Sequence, residues 1–274
     1  MHRGARASGL PDRERGLSGR LDTAREIARE VGALQRERFA GPRVIETKSS
    51  AIDLVTDVDR ASDELIVRRI AQAFPDDAVL TEETGRAREG SSGYRWVIDP
   101  LDGTTNYAHG LPHYAVSLGI EREGERVAGV IHDPMRQELF SCERGAGAFL
   151  NDQPIRVSTA QTLEQSLLAT GFAYDVHSGK LENLEYFARF MRRARAVRRA
   201  GSAALDLAYV ACGRFDGFWE MHLHAWDVAA GMLLIEEAGG RTSDLDGRPA
   251  PASGERLVAS NGVLHDALLE VLAG

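Results

Sequence analysis

Apolar and polar positions along this chain follow two periods, one helical and one extended. Between Leu21 and Phe39, the residues Leu21, Ala24, Ile27, Ala28, Val31 and Leu34 recur at helical spacing with charges on the other side, which predicts a helix packed by one stripe. A second helical pattern carries Leu65, Ile66 and Ile70 to Phe74, where Pro75 stops it. Ala78 to Thr81, Trp96 to Ile98, Tyr114 to Ile120, Val127 to His132 and Glu138 to Cys142 read as strands, the later ones joined by tight turns such as Arg122-Glu123-Gly124-Glu125. Further strands are expected at 155–157, 166–170, Phe215 to Trp219 and Leu257 to Ala259. Helices are expected at 181–191, Leu205 to Cys212, through Leu233 to Ala238 with Gly239-Gly240 as the stop, and Val263 to Leu272. The sum is mixed α/β with mainly antiparallel sheet.

Residues 1–19 fall outside both periods. They scatter Arg3, Arg6, Arg13 and Arg15 among Gly and Ser, lack the apolar core of a signal peptide, and are expected to be a mobile tail, leaving 20–274 as the folded unit. Composition changes little in this picture: 43% hydrophobic and 27% charged residues suit a globular chain, and no apolar run approaches the ~20 residues that span a membrane. Charge matters more. A formal net charge of −8 gives the whole molecule no pull on nucleic acid or anionic lipid, so an anionic substrate would need a local cation. Cys142 and Cys212 show no pairing pattern, which fits a reducing cytoplasm.

Candidate chemistry centres on Trp96-Val97-Ile98-Asp99-Pro100-Leu101-Asp102-Gly103-Thr104-Thr105-Asn106-Tyr107. An apolar strand changes abruptly into two carboxylates around Pro100, which should hold them on a stiff turn at the strand's end. Acids so close repel unless a cation lies between them, and oxygen ligands select a hard one, magnesium or manganese. Gly103-Thr104-Thr105 is a plausible helix start whose backbone N–H groups could hold phosphate. Read alone, Asp-Gly is an ordinary turn. Asp57 or Asp59 could cap the second helix, Glu82-Glu83 could be a solvated turn, and Asp227 could cap the helix it opens. Arg189, Arg192, Arg193, Arg195, Arg198 and Arg199 are either a solvated helix end running into a strand or an anion-facing edge.

The central run closely resembles the signature of the inositol monophosphatase family of magnesium-dependent, lithium-sensitive sugar phosphatases. The likeness extends in the family's order over roughly residues 20–274, through Thr47-Lys48-Ser49-Ser50, Asp53-Leu54-Val55-Thr56-Asp57-Val58-Asp59, Glu82-Glu83, Gly201-Ser202-Ala203-Ala204, Phe218-Trp219-Glu220 and Trp226-Asp227-Val228-Ala229-Ala230-Gly231. It implies a layered αβαβα sandwich of the inositol monophosphatase and fructose-1,6-bisphosphatase type, usually a homodimer. It also implies two or three magnesium ions, replaceable by manganese and inhibited by lithium. One ion would be held by Glu82, Asp99 and the carbonyl of Leu101, and a second by Asp99, Asp102 and Asp227; a third would lie near Glu82. Thr104, paired with Asp59, would position the attacking water. Asp102, Gly103, Thr104, Gly201, Ser202, Ala203, Glu220 and Asp227 would face the substrate, with Lys48 on a mobile loop and Glu83 in the water network as supports. The preferred substrate is inositol monophosphate. Fructose 1,6-bisphosphate, adenosine 3′,5′-bisphosphate and histidinol phosphate are the related alternatives. A reading from another class is an RNA-associated regulatory protein, with the arginine cluster as its feature. Neither cysteine sits in a Cys-x5-Arg arrangement and no Asp-x-Asp-x-Thr pattern occurs, so activated water is the expected nucleophile.

Overall fold

A computed structural model describes residues 16–41, 45–47, 54–172 and 182–274 of the chain. Lys48 and most of the N-terminal stretch lie outside the described residues. The first helix, α1 (Leu17–Phe39), buries the stripe read from the sequence and begins four residues ahead of Leu21. The cause is Arg20, a buried residue in that extra turn. Its Nε and Nη2 donate to the two carboxylate oxygens of Asp77 at 2.8 and 2.7 Å, and Trp96 Nε1 and Ser92 Oγ donate to the same carboxylate at 2.9 and 2.6 Å. Residues 17–19, given to a tail by the sequence reading, are therefore helical.

Strands β1 (Ile45–Thr47) and β2 (Leu54–Thr56) pair antiparallel and lead into α2 (Asp57–Ala73). The helix is capped by Thr56, whose Oγ1 accepts from the N–H groups of Val58 and Asp59, while Asp59 accepts in return from the Thr56 N–H at 2.8 Å. Neither Asp57 nor Asp59 is the cap residue itself; Asp59 closes the reciprocal box one turn in.

Eight strands make the larger sheet: β3 (Ala78–Thr81), β4 (Gly85–Arg88), β5 (Tyr94–Asp102), β6 (Ala115–Arg122), β7 (Glu125–Asp133), β8 (Glu138–Glu143), β9 (Gly147–Leu150) and β10 (Gln153–Pro154). Their order is β10-β9-β8-β7-β6-β5-β3-β4, antiparallel except where β3 runs parallel to β5. The β6–β7 turn is made by Glu123 and Gly124 at φ 52° and 87°, the left-handed pair a two-residue hairpin needs. The strand expected at 155–157 does not form. Ile155 N–H still reaches the Ala148 carbonyl of β9 at 2.9 Å, but Val157 N–H is taken by the carbonyl of Ala238 at 3.2 Å, so the ladder does not continue.

A five-stranded sheet holds β11 (Leu167–Thr170), β12 (Ala196–Arg198), β13 (Gly217–Met221), β14 (Arg241–Ser243) and β15 (Arg256–Ser260) in the order β12-β11-β13-β15-β14. Helices α1 and α2 cover one face of the larger sheet through Ala24, Ile27, Val31, Ile66 and Ile70. Between the sheets lie α5 (Ala203–Ala211) and α6 (Ala225–Glu237), buried on nearly every side. Helices α4 (Glu182–Met191) and α7 (His265–Ala273) cover the outer face of the smaller sheet around Phe190, Trp219 and Leu268. The layers are thus α, β, α, β, α, the sandwich the resemblance implied.

Removing the Asp77 carboxylate takes from the buried Arg20 its two-pronged ion pair and from the Trp96 N–H its acceptor. Asp77→Ala is expected to cost about 3–5 kcal/mol in urea unfolding monitored by tryptophan fluorescence.

Candidate active site

In a regular strand, residues three apart point to opposite faces, so Asp99 and Asp102 would be separated by the sheet. The structure avoids this with a bulge. Asp99 pairs with Ser117 and Asp102 with Ala115, so β5 spends three steps where β6 spends two. Pro100 has no N–H to give the ladder, and its carbonyl accepts from Gln35 Nε2 of α1 at 2.7 Å. The Leu101 N–H turns back to Asp99 Oδ1 at 3.0 Å. The acids therefore sit on a strand that continues through Asp102, not on a turn beyond its end.

Neighbouring elements bring the other groups to this point. Glu82 follows β3, and its N–H donates to the Ile98 carbonyl at 3.1 Å, so the parallel pairing places it alongside Asp99. Glu83 comes next, half-buried, with its charge felt at Asp59. Gly103 holds φ 97°, a left-handed conformation that lets the chain turn from β5 into the short helix α3 (Thr104–Ala108). Thr104 Oγ1 then lies 2.8 Å from Asp59 Oδ1 and 3.0 Å from the Leu101 carbonyl, the Thr104–Asp59 pairing the resemblance suggested.

The loop before α5 is held by two contacts. Asn106 Nδ2 donates to the carbonyls of His113, Ala200 and Gly201 at 2.8, 2.9 and 3.3 Å. Ser202 Oγ and the Ala204 N–H donate to Asp102 Oδ2 at 2.5 and 2.8 Å, which puts Gly201, Ser202 and Ala203 beside the strand end. Asp227 in the first turn of α6 accepts from the His224 N–H at 2.7 Å, so it serves as a cap box residue as well. Helix α6 reaches the sheet because its Ala229 and Ala230 meet Gly119 and Gly129. A Cβ on those glycines would come within 2.7 and 2.9 Å of the helix.

Asp99 is 2% exposed and Asp102 9%. Burial, and then the charges of Glu82, Asp102 and Asp227, hold the Asp99 carboxyl well above the usual carboxylate range. Asp102 is pushed up to about 7 by burial and by Asp227, against the two hydrogen bonds it accepts. Glu82 after β3, Asp99 and Asp102 on β5 and Asp227 on α6 thus lie within electrostatic reach of one another. Each of the three aspartates commits one oxygen to a backbone or hydroxyl donor, and its second oxygen accepts no hydrogen bond among the described residues. No three carboxylate, histidine or cysteine side chains among the described residues are already drawn around a single ion position. That openness is expected of acids that repel without a counter-charge. A donor set of carboxylate oxygens plus the Leu101 carbonyl fits a hard divalent cation such as magnesium.

On the opposite wall, Glu220 of β13 is buried over Gly171, where any Cβ would lie 2.1–2.3 Å from its carboxylate atoms. Burial and then the charges of Asp227 and Asp102 raise Glu220 well above its usual range, and Arg199 offsets part of this. Three groups escaped the sequence reading: Asn106 as the clamp, Gly171 as the floor under Glu220, and Asp206, a lone acid within the apolar helix α5. The last was visible in Ala203-Ala204-Leu205-Asp206-Leu207-Ala208, since an acid flanked on all sides by core residues must have a reason to be buried.

Comparison with known proteins agrees with this arrangement. The sequence profile of the Inositol monophosphatase family matches residues 17–273. The chain belongs to the inositol monophosphatase family. It is 42% identical over 253 residues to the inositol-1-monophosphatase of Synechocystis, covering 92% of this chain and 88% of that protein. It is equally 42% identical over 259 residues to the Nus factor SuhB of Pseudomonas aeruginosa, covering 92% and 95%. The crystal structure of the SuhB protein of Bartonella henselae superposes with a TM-score of 0.88 at 38% identity, covering 92% of this chain and 97% of that one. Family membership thus joins relatives named inositol-1-monophosphatase and relatives named Nus factor.

The raised carboxyls make a prediction about stability. Asp99 and Asp102 keep protons in the folded chain that they release on unfolding above about pH 4, so metal-free stability should fall as pH rises from there through about 7. Magnesium, which binds the deprotonated acids, should counter this. The gain in melting temperature on adding magnesium is expected to grow steadily between about pH 5 and pH 8, as followed by thermal unfolding.

Proposed function

We propose that this chain hydrolyses a sugar phosphate monoester, inositol monophosphate above its relatives, to the free polyol and inorganic phosphate with magnesium as cofactor. The convergence of Glu82, Asp99, Asp102 and Asp227 beside the Asp59–Thr104 pair is the observation that carries the reading. In it, Glu82, Asp99 and the Leu101 carbonyl hold one ion and Asp99, Asp102 and Asp227 a second, with room for a third near Glu82; manganese could substitute and lithium inhibit. Ions there would screen the ester's charge and make water a better nucleophile, effects worth several kcal/mol.

The chain's own groups do the rest. The first turn of α3 leaves the N–H groups of Thr104 and Thr105 outside the helix ladder, where they would serve as donors to the phosphate. Thr104 has one hydroxyl hydrogen for Asp59 or the Leu101 carbonyl, and its lone pairs can accept from the attacking water. Asp59, raised by burial, is basic enough to receive that water's proton through Thr104. Glu220 accepts from the polyol hydroxyls, and Gly201, Ser202 and Ala203 line the same side. Lys48 and Glu83 keep the supporting places the resemblance gave them, and a cytoplasmic homodimer is part of the same reading.

A second reading rests on the exposed arginines. Arg189 is spoken for, since its Nη1 reaches the Val271 and Leu272 carbonyls at the end of α7, both at 3.3 Å. Arg192, Arg193, Arg195, Arg198 and Arg199 are exposed around the edge strand β12. An anionic partner such as RNA would fit them, as the SuhB relatives' Nus factor name suggests. Among the described residues no helix is long and apolar enough to cross a membrane.

The test is phosphate release from inositol monophosphate, fructose 1,6-bisphosphate, adenosine 3′,5′-bisphosphate and histidinol phosphate, with and without magnesium and lithium. Inositol monophosphate should be turned over fastest, only with the divalent ion, and lithium should suppress it. Asp99→Asn should lower the rate about a thousandfold while leaving a folded protein and any RNA binding intact. Absence of release from every ester, with tight RNA binding, would give the second reading precedence.

A further inference from the structure

Asp206 is 1% exposed, and its Oδ1 has no hydrogen-bond partner among the described residues. A buried carboxylate oxygen left so is costly, more so if charged, and demands an explanation. The residue stands in the first turn of α5, where its N–H donates to the Ser202 carbonyl at 3.0 Å. That turn is fixed from below by the bonds from Ser202 and Ala204 to Asp102. Helix α5 packs on β13, the strand that carries Glu220, and Glu220 itself is pinned over Gly171. Three charged groups act on Asp206: Glu220 from β13 most strongly, Asp102 from the end of β5, and Arg199 ahead of α5 with the opposite sign. Burial comes before all of them and, with the two acids, raises Asp206 well above the usual carboxylate range. Glu220 answers to Asp227, Asp102 and Arg199. Two acids on adjoining elements in a dry wall cannot both carry charge cheaply, and Asp206, 1% exposed against 8% for Glu220 and with an Oδ1 that accepts no hydrogen bond, is the one that keeps its proton.

We propose that Asp206 is a positioning residue for the sugar-facing wall: a neutral carboxylic acid whose O–H serves the Glu220 carboxylate, directly or through one water, and fixes the oxygen offered to the substrate's hydroxyls. The inference rests on the reading of Glu220 as the polyol contact. It explains why an otherwise apolar helix, packed on the strand that carries Glu220, holds an acid with an orphaned oxygen. An O–H supplied from behind leaves the wall with one negative charge and one defined acceptor direction. Asp206 does not touch the substrate.

The experiment compares the full chain, loaded with magnesium, with Asp206→Asn and Asp206→Ala on inositol monophosphate and on phenyl phosphate, which has no polyol hydroxyls. Asparagine still presents a neutral N–H donor, so Asp206→Asn should hold KM for inositol monophosphate within about twofold. Asp206→Ala should raise that KM roughly tenfold with kcat and phenyl phosphate turnover little changed. Equal loss in both variants would show that the negative charge, not the donor, is needed and would overturn the proposal. Equal loss on both substrates in Asp206→Ala, or no change on either, would also overturn it. A second measurement does not depend on turnover. A neutral Asp206 releases its proton on unfolding above about pH 4, which costs the wild type stability that Asp206→Asn does not lose. The melting temperature of Asp206→Asn relative to wild type, both with magnesium, should therefore climb between about pH 5 and pH 8, and a flat difference refutes a neutral Asp206. Wild type that hydrolyses neither ester would sink the phosphatase reading instead, and the melting series would still decide on Asp206.

Discussion

Acids that repel one another are held at the end of a buried strand, and much of the surrounding structure exists to keep them there. Coulomb repulsion between carboxylates a few ångströms apart in a protein interior is worth several kcal/mol, enough to turn side chains outward or to keep protons on them. Each aspartate is restrained by spending one oxygen on a local donor: Leu101 N–H for Asp99, Ser202 and Ala204 for Asp102, and the His224 N–H for Asp227. These bonds orient the acids without neutralising them. A site made this way stores a demand for positive charge, which is the physical meaning of the raised Asp99 and Asp102.

That restraint works only if distant parts of the chain arrive together, and the layering supplies the approach. Glycines at 119 and 129 allow α6 to lie almost on the strands, which brings Asp227 to the bulge in β5. Gln35 reaches in from α1 to hold the Pro100 carbonyl, while Tyr107 in α3 donates to the Gln35 carbonyl at 2.9 Å. The far end of β5 is tied by Asp77 to both Arg20 and Trp96. The strand bearing the acids is thus clamped at both ends by α1.

How much of this could be read from the sequence depended on the range of the interaction. The stripe of α1 was legible because its spacing is local. Its first turn was not, since Arg20 is buried by an acid 57 positions away. The short strands β4, β9 and β14 were missed because three or four residues that include Gly, Ala, Arg and Ser set no clear alternation, and pairing with a neighbour decides their state. At the site, the motif from Asp99 to Asn106 announced a cation and a phosphate. It did not announce the bulge, because two acids three residues apart look alike on a turn and on a distorted strand. Thr56 was overlooked as the cap of α2 because two aspartates follow it, although the Thr-x-x-Asp pattern was present. Asp206 was passed over because an isolated acid in a helical run reads as surface until the other faces are known to be covered.

The two walls of the cleft come from different sheets, and this separation has a consequence. Asp99 and Asp102 belong to the eight-stranded sheet and Glu82 directly follows its strand β3, while Glu220 belongs to the five-stranded sheet and the Gly171 beneath it directly follows β11. Among the described residues, α5, α6 and the loop held by Asn106 span the gap. In the reading proposed, charge handling rests on one sheet together with Asp227 of α6, and polyol recognition on the other sheet together with the loop before α5. Substitutions around β11 and β13 could then retune the substrate without disturbing the acids, provided the Ser202–Asp102 contact stays intact. The same separation is compatible with relatives that carry the enzyme name and relatives that carry the Nus factor name. The acid cluster is enclosed by the larger sheet and the central helices, whereas the arginines lie on the opposite sheet's free edge, where a partner could be gained or lost at little cost to the cluster.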